Sequence, residues 1–332
     1  MRRCKLAERA SYRGDIMAEK YLVTGGAGFI GSHVAKRLLD EGHEVIIADN
    51  LLTGYIANVP KGARFIYIDL ANENHYYKLS GLYPKAILHF AGQSSAEISH
   101  ESPVNDLDIN TKATILLGNW ARKQNCSRMI FASSVSVYGD GITPGKPMSE
   151  KDHPRPKSFY GCSKLSSEYY LRVFNQSYGI NTTSLRLFNV YGPGQNIENM
   201  KQGMVSIYLS FALFHDEMIV KGSLDRFRDL IYISDLVDAI IEIIDDERTF
   251  DKIFNIGTGE KVIVRDLIDL ILETTGKTDF PVVESEGTPG DTFGSVADVS
   301  YIRETTAWRA KVFPEQGIRK MVKFYAPELI KE

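Results

Sequence analysis

Residues 21–33, YLVTGGAGFIGSH, decide the fold. Tyr21 to Thr24 is a short apolar run, partly β-branched, that stops at Gly25 and Gly26. Such a run bounded by glycine reads as a buried strand. Ile30, Val34, Leu38 and Leu39 then fall on one helical face, and Gly42 supplies a stop. The turn between strand and helix satisfies GxGxxG from Gly26 and GxxGxxG from Gly25. Glycines let backbone approach a pyrophosphate closely, and the helix N-terminus offers unpaired N–H donors with partial positive charge. The pattern alone is weak, since a glycine turn need hold no ligand. Its weight comes from the strand–turn–helix context.

Outward from the turn, apolar runs at 45–48, 65–68, 86–90, 129–132 and 182–188 read as further strands, and 110–124 has a helical pattern. Strands alternating with helices predict an α/β fold with a doubly wound, parallel, Rossmann-type sheet. Asp49 ends the second strand, 18 residues after Gly31. A carboxylate there accepts hydrogen bonds from an adenosine ribose and repels a 2′-phosphate, and no Arg or Lys follows within 50–54. NAD is therefore favoured over NADP. The plainer reading makes Asp49 a strand-end turn residue.

Residues 1–17 read as a flexible N-terminal extension, with Met17 a possible second start, and 18–188 as the NAD-binding Rossmann domain. Residues 189–332 read mainly as a smaller, mixed α/β substrate-binding portion, with some segments returning to the first domain. Helices are predicted at 204–214, 234–244 and 265–274, and the Pro- and Gly-rich stretch 139–156 reads as a loop or lid.

The 332 residues carry a formal net charge of −3, which gives no reason to expect a nucleic-acid or membrane partner. No apolar run approaches the ~18 residues of a membrane span, and the basic first sixteen residues lack the apolar centre of a secretion signal. Cys4, Cys126 and Cys162 are odd in number, widely spaced and outside any CxxC pair, which fits a reducing cytoplasm. The histidines form no metal cluster; His89 and His33 read as packed residues.

Tyr160-Gly161-Cys162-Ser163-Lys164 sets a phenol and an ammonium four apart, on one helical face. A free tyrosine, with a pKa of ~10, is a poor base at neutral pH. Lys164 and a nicotinamide cation would both favour the phenolate and lower that pKa. Such a tyrosine can take a proton from an alcohol while hydride leaves the same carbon. Upstream, Ser133, Ser134 and Ser136 follow the 129–132 strand, where ligands of open α/β sheets sit. They can hydrogen-bond the reacting oxygen, although a lone serine cluster is as often a strand cap.

Taken together, TGGAGFIGSH (24–33), ADN (48–50), HFAGQ (89–93), SSVSVYG (133–139), YGCSK (160–164), RLFNVYGPGQ (186–195), RFRDLIYISDLV (226–237), FNIGTGE (254–260) and PGD (289–291) resemble the extended short-chain dehydrogenase/reductase superfamily. Within it they resemble the NAD-dependent nucleotide-sugar epimerase/dehydratase branch, over residues 21–322. The resemblance implies cofactor contacts at Gly25, Gly28, Phe29, Ile30, Gly31, Asp49, Asn50, Asp69, Leu70, Phe90, Ala91 and Gly92, with Tyr160 and Lys164 also touching NAD. It implies a catalytic set of Ser134, Tyr160 and Lys164, with Asn110 as a structural neighbour. Ser134, Ser136, Tyr160, Asn189, Arg228 and Asp291 are implied substrate contacts, Asn189 and Arg228 at the diphosphate. It also implies a homodimer through a four-helix bundle, with 107–122 and 160–178 as candidate helices.

Dehydratases and decarboxylases of this branch carry a carboxylate just after the catalytic Ser/Thr, where this chain has Val135 and Ser136. A 4-epimerase needs none. It oxidises C4 transiently and returns the hydride to the opposite face, as for UDP-glucose/UDP-galactose or UDP-GlcNAc/UDP-GalNAc. The alternative is an NDP-4-ketosugar reductase with the same Ser/Tyr/Lys set; a silent NAD-binding regulator would not need that set intact. Two departures bear on substrate. Thr288 stands where relatives often have an arginine for the diphosphate, with Lys221 or Lys201 as replacements. Ser295 stands where a bulky residue excludes 2-acetamido sugars.

Overall fold

The computed structural model describes residues 18–141, 146–288 and 290–330. The expected extension (1–17), the centre of the 139–156 loop and Pro289 of the PGD motif lie outside the described residues. In the first half, β1 (Lys20–Thr24), α1 (Phe29–Asp40), β2 (Glu44–Asp49), β3 (Arg64–Tyr67) and β4 (Ala86–His89) follow one another. Next come α2 (Ala96–Glu101) and α3 (Pro103–Leu107), a π-helical turn over Asp108–Lys112, and α4 (Ala113–Lys123). β5 (Arg128–Ser134), α5 (Phe159–Tyr178) and β6 (Asn181–Leu187) complete this half.

Among the described residues, seven strands form one parallel sheet, and the last of its strands comes from the second half of the chain. Neighbouring residues of β1, β2, β4 and β5 feed opposite cores. Val23, Ile47, Leu88 and Ile130 join one apolar cluster; Leu22, Ile46, Ile87 and Met129 join the other. Both faces are therefore covered by apolar side chains, which is why these strands read as unbroken apolar runs rather than alternating ones. α1 lays Val34, Ala35 and Leu38 against the sheet. The sheet changes direction at β1, which pairs with β2 on one side and β4 on the other. The glycine turn leaves β1 at this crevice, where α/β sheets bind ligands.

The second half comprises β7 (Asn189–Tyr191), α6 (Met204–Phe214), β8 (Met218–Lys221), β9 (Phe227–Arg228), β10 (Leu230–Tyr232), α7 (Ile233–Ile243) and β11 (Lys252–Ile256). It ends with β12 (Val262–Ile263), α8 (Val264–Thr275), β13 (Val282–Ser285), α9 (Ser300–Thr305) and α10 (Pro314–Tyr325). β11 pairs with β6 and closes the main sheet at one edge. The remaining strands make small pairs: β7 with β10 and β8 with β13 in parallel, β9 with β12 antiparallel. One apolar cluster runs through both halves, from Val23 and Leu88 to Leu209, Ile240, Phe254 and Met321. Among the described residues no helix is long and apolar enough to cross a membrane.

Candidate active site

The glycine turn is held open by steric necessity. Gly25 has φ +68°, and a Cβ there would sit 2.5 Å from the Ala91 nitrogen. A Cβ at Gly31 would collide with the Gly25 carbonyl, so α1 packs directly on the turn. Asp49 accepts hydrogen bonds from the Ala27 N–H at 3.0 Å and the Leu51 N–H at 2.7 Å. It thus does the work of a strand-end turn residue and also faces the crevice.

That crevice is a cavity of about 340 Å³. Its lining brings together every cofactor residue named from the sequence: Gly25, Gly28, Phe29, Ile30 and Gly31 of the turn, Asp49 and Asn50 after β2, Asp69 and Leu70 after β3, and Phe90 to Gly92 after β4. Ser134, Tyr160 and Lys164 line the same cavity. The donor set fits a dinucleotide. Backbone N–H groups at a helix start suit a pyrophosphate, and a carboxylate beside them suits ribose hydroxyls.

α5 carries the Tyr/Lys pair. Ser158 caps its N-terminus, accepting a hydrogen bond from the Gly161 N–H at 3.1 Å. Further along, Glu168 takes two bonds from Arg186 of β6, at 3.0 and 2.7 Å, with both side chains buried. The cap fixes where the helix starts, and the Glu168–Arg186 pair ties it to the sheet. Lys164 donates to the Ala132 carbonyl at 3.0 Å, and its ammonium lies 5.8 Å from the centroid of the Tyr160 ring. Ser134, at the end of β5, accepts from the Ser136 N–H at 3.1 Å and donates to the Ser136 hydroxyl at 3.1 Å.

One electrostatic expectation is corrected here. Burial, not Lys164, governs the phenol. Desolvation pushes Tyr160 up to about 12, opposed by a hydrogen bond from Ser134, with the Asp106 charge adding to the rise. Burial lowers Lys164 to about 8, with the Asp106 carboxylate opposing. A phenolate in a dry cavity loses its hydration, and that loss outweighs the groups that favour its charge. The Ser134 hydrogen bond and the positive charge of an oxidised nicotinamide are the groups that would favour the phenolate.

Asp106 is a residue that sequence reading missed. It is buried and accepts from Gln93 Nε2 (2.8 Å), Asn110 Nδ2 (3.0 Å) and the Ser163 hydroxyl (2.7 Å). Its only sequence signal is the spacing of four to Asn110. Asn110 sits in the π-helical turn, and its Oδ1 has no hydrogen-bond partner among the described residues. A Cβ on Gly92 would be 2.6 Å from that oxygen and 3.1 Å from the Lys164 ammonium, so Gly92 leaves this polar corner open. His89 is buried between Thr24 and Thr114 hydroxyls, at 2.7 and 3.0 Å, and burial lowers it to about 3.

A second cavity, of about 550 Å³, is lined by Ser136, Asn189, Arg228, Thr288, Asp291 and Ser295. It adjoins the first, the two sharing walls at Ser94, Asn189, Gln202, Gly203 and Met204. Val135 lines it, so no carboxylate occupies position 135 or 136. Lys221 and Lys201 also line it, already paired with Glu97 (2.9 Å) and Glu101 (2.6 Å) of α2. Arg226, quoted in the 226–237 motif but not singled out there, is a further lining residue. Among the described residues no group of three or more His, Cys, Asp or Glu side chains is placed to hold a metal ion.

Comparison with known proteins adds a family. The model of the NAD dependent epimerase/dehydratase family matches residues 21–257. A UDP-glucose 4-epimerase from Mycolicibacterium smegmatis is 31% identical over 310 residues, covering 92% of this chain and 97% of that protein. The crystal structure of a Thermotoga maritima UDP-glucose 4-epimerase with UDP-glucose superposes with TM-score 0.88 at 33% identity, covering 94% of this chain and all of that one (100%). A Thermus thermophilus UDP-glucose 4-epimerase in complex with NAD gives 0.85 at 34% identity, covering 92% and 98%.

Proposed function

This chain belongs to the NAD-dependent epimerase/dehydratase family, with NAD as its cofactor, and on that premise we propose that it is a nucleotide-sugar 4-epimerase of the UDP-glucose/UDP-galactose or UDP-GlcNAc/UDP-GalNAc type. The observation that carries this reading is the meeting of Ser134, Tyr160 and Lys164 in the first cavity, beside the second, with Val135 and Ser136 at the positions where the branch's dehydratases carry a carboxylate. Proton and hydride transfer at one carbon needs the first three groups. The carboxylate that the branch's dehydratases and decarboxylases carry just after the Ser/Thr is absent at Val135 and Ser136.

Tyr160 takes the proton of the sugar 4-hydroxyl and later returns it. Ser134 donates a hydrogen bond to the same oxygen as its charge changes. Lys164 keeps positive charge behind the phenol below its pKa of about 8. Bound NAD supplies the acceptor and donor of hydride at C4. Gly25, Gly28, Gly31, Asp49 and Asn50 would hold it, with Asp69, Leu70 and Phe90 to Gly92 along its length. Asn189 and Arg228 would meet the nucleotide diphosphate, with Ser136 and Asp291 as further substrate contacts. Ser295 is small and buried, and its hydroxyl has no partner among the described residues, which supports a pocket that admits a 2-acetamido group. The exposed apolar side chains of α5, among them Tyr170 and Val173, support a homodimer. Unpaired Cys126 and Cys162 support a reducing compartment, the cytoplasm.

The test is Tyr160→Phe in NAD-loaded protein offered UDP-glucose and UDP-GlcNAc. The variant should keep its NAD and lose about 10²- to 10⁴-fold in C4 epimerisation, the usual weight of a positioned acid–base. Epimerisation at the wild-type rate would overturn the mechanism. Wild-type protein that makes no epimer and instead consumes NADPH with a 4-ketosugar would be the reductase.

A further inference from the structure

Arg226 and Arg228 lie two residues apart around the start of β9, so their side chains share a face. Both reach Asp291, which lines the same cavity. Arg226 Nη1 donates to one carboxylate oxygen, and Arg228 Nη2 donates to the other at 2.7 Å. The arginine side chains are 8% and 6% exposed, whereas Asp291 is 32% exposed. The Tyr208 hydroxyl of α6 faces the same guanidiniums. Gly222 packs on the Arg226 fork, where a Cβ would come within 3.0 Å of its central carbon.

The charges here do not balance. Two guanidiniums, which stay protonated in proteins, share one carboxylate. Asp229, next along the chain, does not help. Its oxygens are spent on Thr258 N–H (2.7 Å) and hydroxyl (2.8 Å), Gly259 N–H (2.9 Å) and Ala297 N–H (3.1 Å). At the rim, Lys201 and Lys221 are already matched by Glu101 and Glu97. A buried surplus of positive charge, walled into a cavity, is a site for an anion. Two planar forks side by side suit the oxygens of a diphosphate better than one.

We infer that Arg226 is a second diphosphate-binding side chain beside Arg228, and that Asp291 is the internal counter-ion the two arginines share until a nucleotide diphosphate arrives. Thr288 lines the same cavity and brings no charge to it, so the second cation is Arg226, the residue before β9. This inference rests on the nucleotide-sugar reading above, and the experiment separates the two.

NAD-loaded, full-length protein is titrated calorimetrically with UDP, UMP and inorganic pyrophosphate at two salt concentrations. Arg226→Gln should weaken UDP binding by roughly tenfold or more, the scale of a lost charge-assisted contact. It should weaken UMP less and flatten the salt dependence, with NAD content unchanged. Arg226→Lys, which keeps the charge and loses the fork, should fall between. UDP affinity within twofold of wild type in Arg226→Gln overturns the inference, as does an equal loss for UDP and UMP. If Arg226→Gln cannot hold NAD, Arg226→Lys decides by the same UDP-to-UMP comparison. Wild-type protein that binds pyrophosphate, through Arg226, but no nucleoside diphosphate sinks the nucleotide-sugar reading and keeps the anion site. Wild-type protein that epimerises while Arg226→Gln matches it sinks only the inference.

Discussion

At Lys164, burial and a nearby carboxylate pull in opposite directions, and burial prevails, lowering the ammonium to about 8 from 10.5. Between those values the unfolded chain holds a proton that the folded chain has released. Stability therefore rises with pH across that window, and below about 8 the full penalty of the buried charge is present. Tyr160 works the other way. Its folded value of about 12 lies above 10.0, so its contribution is complete below pH 10 and lost as pH rises through 12. Lys164→Met should abolish the first effect. In urea unfolding from about pH 7.5 to 10, wild type should gain stability relative to the variant. A constant difference across the series would contradict the depressed lysine. The Tyr160/Lys164 spacing is legible from sequence because i and i+4 share a helical face. The sign of the phenol shift is not, because desolvation depends on all the atoms that enclose the group.

α5 translates sequence into site geometry. Its first turn carries Tyr160 and its second Lys164, so the cap at Ser158 sets where both begin. Ser158→Ala should cost about 1 kcal/mol of stability, and Ser158→Gly only a few tenths, since glycine leaves the cap to water and an adaptable backbone. Denaturant midpoints of the three proteins check the order; alanine and wild type melting together would show that the cap carries no load. The other elements divide by length. Residues 204–214 and the 182–188 run were readable because a helix or buried strand of that size has a period or an apolar run to count. The two- and three-residue strands β9, β12, β7 and β10 have no period. β11 escaped too, although 254–260 was matched as a motif. Its neighbour β6 is more than sixty residues away, and an apolar run alone does not name a partner.

Across the whole molecule, apolar side chains left uncovered mark where assembly is expected. Tyr169 (54%), Tyr170 (46%) and Val173 (53%) lie exposed on α5, and Val104 (72%) and Leu107 (50%) on α3. If this face seats a second copy, Val173→Glu buries a charge without a partner and should leave monomers that still hold NAD. Sedimentation velocity decides, and wild-type protein that is monomeric at micromolar concentration would rule the dimer out. The extent of the molecule also separates what the chain declares locally from what folding adds. The strand–turn–helix at 20–40, the placing of Asp49, the Tyr160/Lys164 spacing and the missing acid at 135 and 136 were determined by sequence alone. Each is a matter of neighbours along the chain, where backbone sterics and helical periodicity act directly. Tertiary structure decided the rest. Asp106 meets Ser163 across 57 residues, and Arg226 meets Asp291 across 65. Buried charges find their partners by packing, and packing brings together groups whose separation along the chain carries no signal of their contact.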